Sequence, residues 1–538
     1  MEKIRDSFKL IENVTEDKER NELIQKNIEE IISYANEITE SGELFEAGEF
    51  LYSVAELFED IEASQSLKLY KLTMKLWEDQ IISYKLQAKL HEIAEIYLRL
   101  ADLHAEKFQD SKLERKHILN SINFLKQESK LMKDFNETRK LSQNYQNIAE
   151  LYLKIFNYKK ALRYYTSVIE ISREHPYLDL LSYSYQQIAL CYRELDDYNK
   201  FKESILDGIE FFSELFEIFN EKNDYLAISQ ISQVLRKLYK QIEDEEQFIN
   251  YSKREAGAYI NLAENLEKKE VNFQKIARYY RGAALCYQDI DNNLIESASC
   301  FVLAGNYSER IEDYNEAAIN FYNAAVTFKE IGNLEMAYKN YVKAGDNYWK
   351  VEDVNDSTES YLNAYDTAIE GDLEFNRFGI FNQIIRGLNI IAKEGLKNKQ
   401  FFTAATLILE SIKFYQQLDT AKDFLLNEMV KNVYKYYYRA ANLKKIGESH
   451  IVQSYILAAI SSVLNGKIDK AIKIVSEIEL KGNTVKKYKE LVGLIIKWVS
   501  EGKPVDFINF PYDLQRIIQG SEEIMYLLKL FKGYKLVV

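Results

Sequence analysis

The stretch YNEAAINFYNAAVTFKEIGNLEMAYKNYVKAGDNYWKVED, Tyr314–Asp353, spells a helix, a turn and then the same helix again. Alanine falls at Ala284, Ala304, Ala324, Ala344 and Ala364, and a ring falls at Phe301, Phe321, Tyr341 and Tyr361. An amide or carboxylate followed by an apolar residue recurs as Asn293–Leu294, Asp313–Tyr314, Asn333–Leu334 and Asp353–Val354. Each series steps by twenty residues, so the chain carries an internal repeat.

The physics of one unit follows from its spacing. A short polar side chain accepts a hydrogen bond from an otherwise orphaned backbone N–H and so starts a helix. Asp313 with Glu316, and Asn293 with Glu296, have the spacing of a capping box. Beyond the cap, Tyr314, Ala317, Phe321, Ala324, Phe328 and Ile331 step by three and four, which predicts one buried stripe on a helix of about five turns. Leu334, Ala337, Tyr341, Ala344, Tyr348 and Val351 repeat the pattern, with Gly332 and Asn333 as the break between. Two such twenties make an antiparallel hairpin, and the period of the array is forty.

The same beat occurs earlier. Asn157 precedes Tyr158, Ala161, Tyr165 and Val168, and one period later Asp197 precedes Tyr198, Phe201, Ile205 and Gly208. The signature Ala-x-x-aromatic starts at Ala55, Ala94, Ala149, Ala189 and Ala284. A weaker echo places Ile468, Ala471, Val475 and Ile478 on one face. With only three prolines in 538 residues and no convincing strand pattern, the expected fold is all-α: an α-solenoid of helical hairpins closed by a C-terminal helical bundle. Residues 1–45 are expected as an N-terminal helical segment, 46–395 as the repeat array and 396–538 as C-terminal repeats or a bundle.

Charge divides the chain. The net charge is −14, yet residues 401–538 carry 20 Lys+Arg against 14 Asp+Glu, leaving 50 against 70 for residues 1–400. An acidic body argues against nucleic-acid binding, and a basic end suits an acidic protein partner or, peripherally, anionic lipid. No run of about eighteen apolar residues predicts a membrane span. Cys191, Cys286 and Cys300 have no paired spacing and are expected as reduced core thiols of a cytoplasmic protein.

Catalytic and metal signatures are missing. No phosphate loop and no paired Cys or His zinc spacing occurs. His91, His104 and His117 lie thirteen apart, which on one helix rotates each by about 220° from the last, so they are not expected to converge. The expectation is a protein that is not an enzyme and has no cofactor. Its candidate partner-binding residues are surface polar groups. Lys431, Lys435 and Arg439 form a row at i, i+4 and i+8, with Lys444 and Lys445 beyond; Lys486 and Lys487 form a second cluster; Asn323 and Asn363 share one slot of successive repeats. The runs Glu210–Phe219 and Ile242–Gln247 are expected as core-facing helix and as a helix end with a polar turn.

Phe156–Ile171, FNYKKALRYYTSVIEI, resembles the tetratricopeptide class. The Ala-Gly-Asn/Asp wording of Ser299–Ala325 and Tyr341–Lys350, and the order of YILAAISSVLNGKIDKAIKIVSEI before YKELVGLIIKWVSEGKPVDFINF, resemble the soluble attachment proteins, the SNAP family. That resemblance implies an adaptor in intracellular trafficking, coupling an acidic SNARE-like helical bundle to an AAA-type disassembly ATPase. The family's acidic tail is replaced here by KLFKGYKLVV, which puts the ATPase contact in doubt. The alternative is a tetratricopeptide-type regulator that captures a peptide or a small signal in its concave groove.

Overall fold

The structure, a computed structural model, describes residues 17–175, 177–418, 421, 423–443 and 448–533. Among them every regular element is a helix. The chain divides into two compact units, Met1–Tyr251 and Ser252–Val538, with the division inside the helix Glu245–Glu267.

The first unit is a series of hairpins in which each helix packs on the next: Leu44–Phe58 with Ala63–Leu86, Leu90–Glu106 with Ser111–Asp134, Thr138–Lys154 with Tyr158–Glu174, and Leu178–Glu194 with Tyr198–Glu221. The helix Leu178–Glu194 also touches Thr138–Lys154 and Tyr225–Gln241, so the first helices of successive hairpins stand side by side. Phe212 and Phe216 are buried, as the aromatic run Glu210–Phe219 requires of a core-facing helix. Asp244 accepts the Gln247 N–H at 3.1 Å, so Ile242–Gln247 is a helix end and a capped start.

In the second unit the hairpins continue from Phe273–Gln288 through Leu294–Arg310, Tyr314–Glu330, Leu334–Lys350 and Val354–Glu370 to Arg377–Lys397. Their turns are nearly identical. The N–H of Asp313, Asn333 and Asp353 bonds back to the carbonyl of Ser308, Phe328 and Tyr348 at 3.0, 2.9 and 3.0 Å. The residue before each cap, Glu312, Gly332 or Glu352, is left-handed, with φ of 61, 77 and 61°. Asp313, Asn333 and Asp353 then cap the next helix through their side chains. Asn293 departs from the expected capping box: it sits in the 3-10 turn Asp291–Asn293 and makes no side-chain cap. That turn already ties the Asn293 N–H to the Ile290 carbonyl at 2.8 Å, which fixes a different approach to the helix.

The predicted stripes are buried, with Ala317, Phe321, Ala324 and Phe328 inside one helix and Ala337, Tyr341, Ala344 and Tyr348 inside the next. Val351 departs from its stripe and is exposed, because the helix ends at Lys350 and the chain turns outward there. Glycine accounts for the Ala-Gly wording of the repeats. A Cβ on Gly305 would lie 2.8 Å from the Phe321 ring, and one on Gly345 would lie 3.0 Å from Tyr361. Each ring lies against the bare backbone of the preceding hairpin, a close approach that only a missing side chain permits.

Residues 401–533 close the unit as a bundle. The helix Glu448–Leu464 packs against Asp423–Ala441, Ile468–Ser476, Asn483–Ser500 and Glu522–Gly533. One continuous core joins Ala404, Val433, Leu457, Ile495, Leu514 and Leu527. Cys191, Cys286 and Cys300 are buried free thiols.

Candidate functional site

The expected cationic row lies on the helix Asp423–Ala441. Lys431, Lys435 and Arg439 are all exposed, one turn apart. Lys431 pairs with Glu428 at 3.1 Å, the Lys435 ammonium lies 5.6 Å from the Tyr436 ring centroid, and the Arg439 guanidinium lies 5.7 Å from that of Phe401. Lys444 and Lys445 lie outside the described residues. Lys486 is exposed at the start of the helix Asn483–Ser500, whereas Lys487 pairs with Asp513 at 3.2 Å.

Asn323 and Asn363 are half-buried in equivalent slots. Asn363 Nδ2 donates to the Tyr322 hydroxyl at 3.3 Å, and that hydroxyl donates to Glu359 at 3.1 Å. Burial and the Glu359 carboxylate raise the Tyr322 hydroxyl above its ordinary range, which keeps it a donor. Asn363 therefore joins one hairpin to the next.

The histidines contradict the expectation that they stay apart. His104 ends the helix Leu90–Glu106 and His117 lies in Ser111–Asp134, so the hairpin between them stacks the two rings with centroids 5.2 Å apart. A single-helix rotation does not apply across a turn. Burial, then the charges of His104 and Lys116, lower the His117 imidazole to about 4. His91 stands outside the stack and faces Glu128 at 3.3 Å.

A further concavity belongs to residues that the sequence did not single out. A cavity of about 680 Å³ in the first unit is lined by three first helices of successive hairpins, Thr138–Lys154, Leu178–Glu194 and Tyr225–Gln241. Its lining is rich in amides and hydroxyls: Ser182, Tyr183, Gln186, Gln230 and Gln233. Gln186 Nε2 donates to Ser182 at 3.2 Å. Burial, then the Glu150 carboxylate, raise the Tyr183 hydroxyl, so it is neutral at physiological pH. At one side Arg139 pairs with Asp179 at 3.1 Å, and Thr138 and Tyr177 share a hydrogen bond of 2.8 Å. Lys237 adds an exposed cation. The signal in the sequence was faint: Gln230 and Gln233 occupy "SQISQ", where two amides three residues apart share a helix face.

Such a lining offers hydrogen bonds from fixed positions. Amide side chains offer a donor and an acceptor together, the pattern that a peptide backbone presents in reverse. Among the described residues no group of three or more His, Cys, Asp or Glu is placed to hold a metal ion. Nor, among them, is any helix long and apolar enough to cross a membrane.

The fold defines the chain as an all-α helical-repeat protein. No family model matches the chain, and no curated protein matches it. Among solved structures it is similar to the crystal structure of the apo form of RapI, at 11% identity over 68% of this chain and 99% of that one, with a TM-score of 0.19. A superposition of that quality transfers no site and no role.

Proposed function

We propose that the chain is a non-enzymatic protein-interaction scaffold whose first unit captures an extended segment of a partner protein. The observation that carries this is the 680 Å³ groove, walled by three parallel-standing helices and lined by amides and hydroxyls. Rigid helices present these groups at fixed spacing, so little entropy is lost on binding. Peptide-display selection against the full chain, followed by titration of the enriched peptides, tests it. Gln186→Leu with Gln233→Leu should weaken them by at least about tenfold, the scale of one or two lost hydrogen bonds to the backbone. Enriched peptides that bind the double variant equally well would remove the groove from the proposal.

A second reading is favoured by the exposed row Lys431, Lys435 and Arg439. In it the C-terminal bundle meets an acidic helical bundle, in the manner of a SNAP-like adaptor that hands such a bundle to an AAA-type ATPase in the cytoplasm. Charge pairing on an exposed surface is screened by salt. Capture of an acidic four-helix bundle should therefore fall steeply between low and high salt and disappear when all three cations are changed to glutamate. Capture indifferent to both changes would reject the ridge and leave the groove reading untouched.

A further inference from the structure

The turn at residues 155–157 joins the helices Thr138–Lys154 and Tyr158–Glu174. The Phe156 N–H bonds the Leu153 carbonyl at 2.8 Å, and the Asn157 N–H bonds the Tyr152 carbonyl at 2.8 Å, so the turn is fixed on both sides of the ring. These bonds hold Phe156 in the left-handed region, at φ 58°. The same place in other turns is held by Asn136, Asp196, Asn223 and Gly332, and Phe156 is the only ring among the described left-handed residues. A bulky side chain is strained there, more than glycine or asparagine is. The ring is 76% exposed, so it adds little to the core. Backbone preference and burial both argue against phenylalanine at this point, and strained residues gather where a protein makes contact with something else.

The chain around the ring is cationic. Residues 151–169 contain Lys154, Lys159, Lys160 and Arg163 and no Asp or Glu, although residues 1–400 as a whole are acidic. All four of these cations are exposed. The preceding hairpin adds Arg115, also exposed, whose guanidinium donates to the Ile155 carbonyl at 3.2 Å and so lies beside the turn. Lys154 pairs with Asp102 at 2.6 Å, and the Tyr158 hydroxyl takes up the Glu194 carboxylate. Arg115, Lys159 and Lys160 pair with no carboxylate among the described residues. An aromatic anchor ringed by arginine and lysine has the make-up of an interface centre, and its charge selects an acidic partner. A long polyanion would run from this patch onto the acidic body and be repelled, so a short segment fits it better. We propose that Phe156 and the cations around it dock a short acidic segment of a partner protein. A large apolar side chain of that segment packs on the Phe156 ring, and its carboxylates meet Arg115, Lys159 and Lys160. The surface shares no residue with the groove and stands whether or not the groove takes a peptide.

The test is fluorescence titration of the full chain with two labelled peptides of equal length, one built of leucine and glutamate and the other of leucine and lysine. A single-stranded oligonucleotide serves as the competing polyanion. The glutamate peptide should bind with a Kd of about 0.1 mM or tighter at low salt and more weakly at high salt, and the lysine peptide should not bind. Phe156→Asn should weaken the glutamate peptide by about tenfold or more. The same variant should raise the urea midpoint, because asparagine tolerates the left-handed region better. Lys159→Glu with Lys160→Glu should weaken the peptide likewise and leave helicity unchanged. Gln186→Leu with Gln233→Leu, and separately the reversal of Lys431, Lys435 and Arg439 to glutamate, should leave the titration as it is. The proposal is overturned by no binding at about 1 mM, by undiminished binding to Phe156→Asn, or by loss of binding in either of the last two variants. A lowered urea midpoint in Phe156→Asn would overturn it by making the ring a support of the fold, and tighter binding of the oligonucleotide would assign the patch to nucleic acid.

Discussion

The helix Tyr314–Glu330 buries one stripe and packs on the helix before it and the helix after it, whereas Glu448–Leu464 packs on four helices and is buried on nearly every side from Ile456 to Leu464. The first draws its core from alanines and rings, the second from Ile, Leu, Val and Ala. Their long-range bonds differ in reach. In the repeats, Tyr322 bonds Glu359, Lys343 bonds Asn306 and Lys350 bonds Glu309, spans of 37, 37 and 41 residues, one period each. In the bundle, Tyr526 donates to Gln416 across 110 residues. A repeat stabilises its neighbours, while a bundle stabilises itself as a whole.

Truncating the core should break this comparison most directly. Leu457→Ala and Phe321→Ala should each cost about 3–4 kcal/mol through lost burial and a residual cavity. Hydrogen exchange separates them: Leu457→Ala should accelerate amides throughout residues 401–530, whereas Phe321→Ala should accelerate chiefly Leu294–Arg310, Tyr314–Glu330 and Leu334–Lys350. Equal spread in both variants would erase the distinction.

Acid probes the hairpin that stacks two imidazoles. The folded His117 titrates at about 4, below the usual imidazole value, so folding favours its neutral form. Its contribution is therefore fully present above about pH 6.5 and is lost progressively as pH falls toward 4, up to about 3 kcal/mol. His117→Phe should flatten that part of the curve when denaturation midpoints are compared at pH 7 and pH 4.5. An unchanged slope would show that other groups govern acid sensitivity.

One substitution made in both regions sharpens the contrast. Gly305→Ala should destabilise by about 1–2 kcal/mol, because its Cβ would meet the Phe321 ring at 2.8 Å. Gly493→Ala, in the helix Asn483–Ser500 with nothing within 4 Å of the new Cβ, should stabilise by about 0.5–1 kcal/mol through helix propensity alone. Urea midpoints of the two variants should move in opposite directions, and movement in the same direction would reject the packing account of Gly305.

Much of the repeat was legible because its causes are local. Asp313, Asn333 and Asp353 cap within three residues, and the turn bonds behind them close over five. The stripe of Tyr314–Glu330 shows because only one side of that helix is buried. The helix Glu448–Leu464 shows its hydrophobicity but not its neighbours, since residues buried all round leave no direction to read. Asn293 misled because a 3-10 turn took the place of its side-chain cap. The groove escaped notice because Gln186, Gln230 and Gln233 are 47 residues apart at their widest and ordinary one by one.

The amino-acid sequence alone set the helix boundaries, the forty-residue beat and the ring–glycine spacing, because these rest on backbone bonds and side-chain steps a few residues long. Only the tertiary structure placed His104 on His117 and gathered the amides of three helices around one groove. Those arrangements depend on how separate helices approach one another, and that is settled by packing over tens of residues rather than by any local preference.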